Sequence, residues 1–291
     1  MRGQPGTRHG SAPVVVQVTT TSDDAVDWAA AEASIRGLPL RLVHPADATT
    51  EVLGAAASRA RAVDRDLPVE SSRVGGPALP ALLRESRTAT LLVLGAPAAR
   101  GLTRLRSGRT PLRLASAGAC PVTVVRSLAR GTDQRSAPRV VVGIDGAPST
   151  GPALGFAVRA ARGRGLPLTV VHAWSADAPA DLEGVCAPRV VTEAGALRLV
   201  DRALAPWREE LLDLPVTADV RHGDAASALV AASGGAALVV LGVPGRRRLT
   251  GTVPSVGRRV LAAVAGPVAV VGPEGHAAEV GRRGLRSASS R

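Results

Sequence analysis

Five short apolar runs recur twice along the chain, and polar or Ala-rich stretches of helical length separate them. In the first half they read PVVVQV, LRLVH, PVESSRV, TLLVLG and PVTVV; in the second, RVVVGI, LTVVHAW, PVTADVR, ALVVLG and PVAVV. Most of these runs are apolar throughout rather than alternating, which is the signature of strands covered on both faces. Alternation of such strands with helices predicts a parallel sheet between two helical layers. The third run of each set alternates polar and apolar residues and predicts a weaker, more exposed strand.

The two sets are copies of one pattern. WAAAEASIRGLPLRLVHP (28–45) matches FAVRAARGRGLPLTVVHAW (156–174), with GLPL recurring 128 positions on, at Gly37 and Gly165. TLLVLG and ALVVLG are 147 apart, and CPVTVV and GPVAVV 146 apart. Order is kept while the offset grows, so the second copy carries an insertion, which we expect in the Ala/Pro/Asp-rich SADAPADLEGVCAPR (175–189). The expected organisation is a disordered N-terminus (1–12), a first domain (13–126), a polar linker (127–138), a second domain (139–273) and a disordered basic tail (274–291). The fold class is α/β, as two tandem five-stranded parallel-sheet Rossmann-like domains.

Composition narrows the chemistry. The chain has 291 residues, is 45% hydrophobic, and holds one Phe, three Trp and no Tyr, so its core must be built from Val, Leu, Ala and Ile. The net charge is +12, and every basic residue is Arg. Anionic partners suit that charge, but so few aromatics provide no stacking platform, and specific nucleic-acid binding is not expected. The absence of Lys excludes a Walker A loop, which needs its Lys on the β/γ-phosphates. Cys120 and Cys186 lie far apart without CxxC spacing, so neither a disulfide framework nor a zinc site is indicated. With no signal-peptide pattern in residues 1–13, a cytoplasmic location is expected. Residues 225–245 lack charge over nearly a bilayer's length, but Ser, the Gly234-Gly235 pair and Pro244 predict a short helix, a turn and a buried strand, so no membrane association is expected.

In an open doubly wound sheet a ligand binds beyond the carboxyl ends of the strands, where strand order reverses. The stretch LGVPGRRRLTGTVPS (241–255) begins at such an end. Its glycines let backbone N–H groups approach an anion, the next helix adds unpaired donors, and Arg246, Arg247 and Arg248 add charge. The clustered acids Asp23, Asp24 and Asp27 fit the first turn of the first helix. His44 and His172 occupy one strand-end position in both copies, which favours a structural role. No catalytic or metal-binding set shares a local motif.

The two-copy pattern, the strand ending VVVGIDGAPST, the VLGVPG turn and the closing GPVAVV resemble the universal stress protein family in its tandem, actinobacterial form, over Ser11 to Pro273. ATP-binding members of that family carry G-x2-G-x9-G-[S/T] after the fourth strand. The resemblance implies a nucleotide site in the second domain formed by Ile144, Asp145, Ala173, Gly242, Gly245, Arg246, Ser255 and Val256. Asp145 would face the nucleotide, although a turn or N-cap role suits the same spacing; Ala173 would meet adenine through its backbone. Two departures weaken the match: the interval is one residue short, and Pro254 replaces the third glycine and has no N–H to donate. In the first copy Thr19 stands for Asp145, Ala98 for the second glycine and Arg109 for the hydroxyl, while Gly95 and Gly108 keep their places, so that copy is expected to contribute packing.

The function implied is a cytoplasmic stress-responsive protein that binds ATP or another adenine nucleotide, with or without Mg²⁺, as a regulatory ligand and without catalysis. The alternatives are a dimerisation or interaction scaffold of the same fold that binds no nucleotide and, further off, a slow ATPase. The two copies are expected to pair within one chain through PVTVV and PVAVV, with homodimerisation as a further option.

Overall fold

The computed structural model describes residues 11–19, 22–45, 50–96, 109–126, 137–175, 192–244 and 255–273. The strands are β1 (Val14–Gln17), β2 (Leu40–Pro45), β3 (Val69–Val74), β4 (Leu91–Ala96), β5 (Val122–Arg126), β6 (Val140–Gly143), β7 (Leu168–Trp174), β8 (Val216–His222), β9 (Leu238–Gly242) and β10 (Val268–Val271). Between them run α1 (Asp23–Arg36), α2 (Thr50–Val63), α3 (Ala78–Glu85), α4 (Arg109–Ala117), α5 (Thr150–Arg164), α6 (Glu193–Leu204), α7 (Ala225–Ala232) and α8 (Ser255–Ala263). The uncharged stretch resolves as expected into α7, a turn and β9.

The repeated GLPL is a helix stop followed by a strand start. Gly37 and Gly165 sit at φ 62° and 63°, a region a Cβ disfavours. Each closes its helix as a left-handed cap, with Gly37 N–H on Ser34 O and Leu38 N–H on Ala33 O, and Gly165 N–H on Arg162 O and Leu166 N–H on Ala161 O. The proline that follows cannot extend the helix, and Leu40 and Leu168 open β2 and β7. Leu40 and Leu168 are 128 positions apart, Val69 and Val216 147 apart. The extra residues of the second copy therefore lie between β7 and β8, where 176–191 fall outside the described residues.

The strands form one sheet in the order β3-β2-β1-β4-β5-β10-β9-β6-β7-β8. Each five-stranded half is parallel. The halves join where β5 and β10 pair antiparallel, Thr123 opposite Ala269 between Val122/Val270 and Val124/Val268. This is the intramolecular pairing expected from PVTVV and PVAVV, and it turns two five-stranded sheets into ten strands with no open edge at the centre. The outer edges are β3 and β8, both half-exposed and polar.

The sheet has a helical layer on each face, and each core is continuous across the joint. Alternate strand residues such as Val14, Val16, Val140 and Val142 pack against α1, α2, α5 and α6; Val15, Val141, Val239 and Val268 pack against α3, α4, α7 and α8. Asp23 and Asp24 occupy the first turn of α1, as expected. Asp27, four residues after the start of α1, lies one turn further on, where Arg59 of α2 bridges it, with Nε 2.6 Å from its carboxylate.

Candidate functional site

In the second half the order β9-β6-β7 places the reversal beside β6. Ile144 and Asp145 follow β6 directly, Ala173 is the penultimate residue of β7, and Gly242 ends β9. These residues thus share the carboxyl ends of three adjacent strands. Ser255 and Val256 open α8, and Val256 packs partly buried against the core on the face of α3, α4, α7 and α8. Gly245, Arg246, Arg247, Arg248 and Pro254 lie outside the described residues.

Asp145 is exposed and takes the turn role rather than the cap role. Its Oδ1 accepts from Ala147 N–H at 2.9 Å and from the Thr150 hydroxyl at 3.0 Å. Thr150 Oγ1 in turn accepts from Gly146 N–H at 3.1 Å. Gly146 bends the chain here at φ 80°. The helix N-cap is Ser149, with no side-chain cap bond. Oδ2 of this exposed side chain takes no part in these bonds, so one oxygen fixes the turn and the other is not engaged in it. Thr150 is a contributor that sequence reasoning missed; the five-residue spacing Asp-x4-Thr before a helix is its only signal.

Ile144 is held from both sides. Its N–H donates to Val171 O at 3.0 Å. Its carbonyl accepts from His172 at 2.9 Å, so Nδ1 carries the proton of that imidazole. His172 is buried, and its tie from β7 to the end of β6 gives it the structural role expected of it.

Gly242 has a packing reason of its own. A Cβ there would lie 2.7 Å from the backbone oxygen of Ser149, because the start of α5 lies against the end of β9. In the first half a Cβ on Gly95 would lie 3.2 Å from Ser22 Cα, the same close approach in looser form. There the Asp145 position is taken by Thr19, and the turn is closed by a hydroxyl: Ser22 Oγ accepts from Thr19 N–H and donates to Thr19 O, both at 2.9 Å. Of the other first-copy positions, Arg109 opens α4, while Ala98 and Gly108 lie outside the described residues.

Near the site, Asp224 caps the start of α7: its side chain accepts from Ser227 N–H at 2.8 Å and pairs with Arg259 of α8 at 2.7 Å. Ser227, through side chain and backbone, and then Arg259 lower the Asp224 pKa to about 2. Among the described residues no group of three or more His, Cys, Asp or Glu could hold a metal ion, and no helix is long and apolar enough to cross a membrane.

Residues 137–272 match the model of the universal stress protein family. A universal stress protein of Mycobacterium tuberculosis is 35% identical over 92% of this chain and 98% of its own length. A second universal stress protein of that organism is 32% identical over 84% of this chain and 91% of its own. Among solved structures, a universal stress protein from Archaeoglobus fulgidus superposes with a TM-score of 0.60 over 89% of this chain and 96% of that one, at 13% identity. Sequence identity, over nearly the whole length of both partners, and the shared fold agree: the chain belongs to the universal stress protein family.

Proposed function

We propose that this protein is a cytoplasmic stress-responsive regulator whose second domain (139–273) binds ATP or another adenine nucleotide without turning it over. One observation carries the reading: Asp145, Ala173 and Gly242 lie at the carboxyl ends of three neighbouring strands where strand order reverses, the location that doubly wound sheets use for ligands. The Asp145 oxygen not engaged in the turn suits a ribose hydroxyl, the backbone of Ile144 and Ala173 the base. The turn after Gly242, with Gly245, Arg246 and the start of α8 at Ser255 and Val256, suits phosphates, with or without Mg²⁺. The first domain (13–126) lacks the acid and serves as packing; residues 127–138 link the two.

Isothermal calorimetry with ATP, with and without Mg²⁺, on wild type and on Gly245→Asp and Asp145→Asn tests this. Asn keeps an acceptor for the turn while removing the charge. Saturable binding in the wild type that Gly245→Asp abolishes is the expected result; no heat at millimolar ATP refutes it. Phosphate release above background would instead favour a slow ATPase.

One observation favours the reading of a scaffold that binds no nucleotide. A helix start lies against a strand end at both Gly95 and Gly242, tightly enough at Gly242 to exclude a Cβ and at Gly95 to disfavour one, so the motif's first glycine persists in a half without the acid and needs no phosphate to explain it. The same titration decides between the two.

A further inference from the structure

Beside Ala173, on the neighbouring strand, sits a charge pair whose matching positions in the first half carry no charge. The register sets Ala173 opposite Arg221 and Val171 opposite Asp219. Side chains at paired positions of adjacent strands share a face about 4.8 Å apart. Arg221 donates through Nε to Asp219 Oδ1 at 2.8 Å and through Nη2 to Oδ2 at 2.6 Å. This side-on fork fixes the guanidinium plane and leaves Nη1 and the planar face for something else. Both partners stay partly open to solvent, with side-chain exposures of 37% and 25%. One residue further along, Trp174 and His222 point to the other face and meet edge to face, 4.7 Å between centroids.

In the first half the matching register holds Val74 opposite Pro45 and Ser72 opposite Val43. The anchored guanidinium thus accompanies Asp145 and is missing where Thr19 replaces it. An ion pair on an edge strand also discourages edge-to-edge association, but β3 is equally an edge and has Ser72 and Val74, which bear no charge, at the matching positions.

The geometry points to Arg221 as a specificity residue that stacks on or bonds the base of the bound nucleotide, with Asp219 positioning it; this rests on the nucleotide reading above, which sets the base against Ala173. A planar, weakly hydrated cation is suited to a purine face, as guanidinium planes are to unstacked bases.

Calorimetric titration of the full chain with ATP and, separately, with adenosine tests the assignment in wild type, Arg221→Gln, Arg221→Lys and Asp219→Asn. Arg221→Gln should weaken ATP and adenosine by the same factor, about five- to tenfold. Arg221→Lys should restore only part of it, because an ammonium cannot stack as a plane, and Asp219→Asn should fall between wild type and Arg221→Gln. Melting curves that overlay the wild type show that folding is intact. Loss of ATP affinity without loss of adenosine affinity would overturn the proposal by moving Arg221 to the phosphates. Unchanged affinity for both would leave the pair as an edge guard. If the wild type binds neither ligand, the nucleotide reading itself fails and the base assignment with it.

Discussion

Glu32 should be the most costly single side chain at the joint between the halves. It lies in α1 at 1% exposure. One carboxylate oxygen takes Arg36 Nε at 2.6 Å, and the other takes Nη2 of Arg164, from α5 of the other half. The arginines are nearly enclosed, at 15% and 11% side-chain exposure. Each also lies over an aromatic ring of the opposite half: Arg36 is 5.1 Å from the Phe156 centroid and Arg164 5.7 Å from that of Trp28. Glu32→Gln keeps the shape but removes the charge both guanidinium groups face. Breaking a buried pair costs about 3–5 kcal/mol, most of it from the charges left behind. At about 2 °C per kcal/mol for a chain of this size, thermal unfolding followed by circular dichroism should shift down by at least about 6 °C. Replacing all three groups, as Glu32→Met with Arg36→Leu and Arg164→Leu, should recover most of that loss, since an apolar substitute leaves no stranded charge. A Glu32→Gln protein melting within about 1 °C of wild type would refute the argument and reduce the triad to the weight of a surface pair.

Close approaches of glycine predict a ranking. Gly242→Ala sets a Cβ 2.7 Å from Ser149 O, against 3.2 Å from Ser22 Cα for Gly95→Ala, so urea denaturation should show a loss of about 1–3 kcal/mol for the first and less for the second. Gly272→Ala should be worse than either, because its Cβ would lie 1.9 Å from Ala115 O at the joint. Asp224 has its pKa depressed from 3.8 to about 2, so its stabilisation of the start of α7 is complete above about pH 4 and lost as pH falls toward 2. Hydrogen exchange of the Ser227 amide should accelerate in that window relative to the α7 interior. At neutral pH Asp224→Ala should cost about 1 kcal/mol, Asp224→Asn much less, and added salt should weaken only the Arg259 part. Ala269→Pro removes a donor from a central strand and should cost about 3 kcal/mol or more, read by the same denaturation.

Most of the fold was legible because strand burial and helix caps are written locally. VVV and LLVL runs are apolar throughout since both faces are covered, and GLPL names a left-handed cap and a strand start in four letters. The pairing of β5 with β10 was implied by the family resemblance, whose members pair through the last strand, and it closes two apolar edges that would otherwise be open. The candidate site was legible only in part. Ile144, Asp145, Ala173 and Gly242 were traceable as strand ends, but the capture of Asp145 Oδ1 by Thr150 depends on how the turn folds back, and the Asp219–Arg221 fork depends on alternate residues of one strand sharing a face. Glu32 had a weak signal, a single charge inside the Ala run AAAEA. Of its two partners, Arg36 is the i+4 neighbour on α1, whereas Arg164, 132 residues away, reaches it only through the stacking of α1 on α5.

The joint also explains what covalent fusion of the two copies permits. With an offset of 128, Trp28 matches Phe156 and Arg36 matches Arg164, so the crossed cation–ring contacts obey the two-fold relation of the halves. Glu32 does not, for its counterpart is Ala160. Two separate identical chains would carry either two carboxylates at this point or none. Two would bury like charges beside the same pair of arginines; none would leave both cations uncompensated. At the other face Arg126 donates to the Leu261 carbonyl, while its counterpart Gly272 approaches the matching carbonyl of Ala115 so closely that no Cβ fits. Again one side carries the group and the other makes room for it. A single chain can fix such complementary differences because each half meets only its own partner. The same freedom lets one half hold Asp145 and the Asp219–Arg221 pair while the other carries Thr19, Ser72 and Val74, without either change being imposed twice.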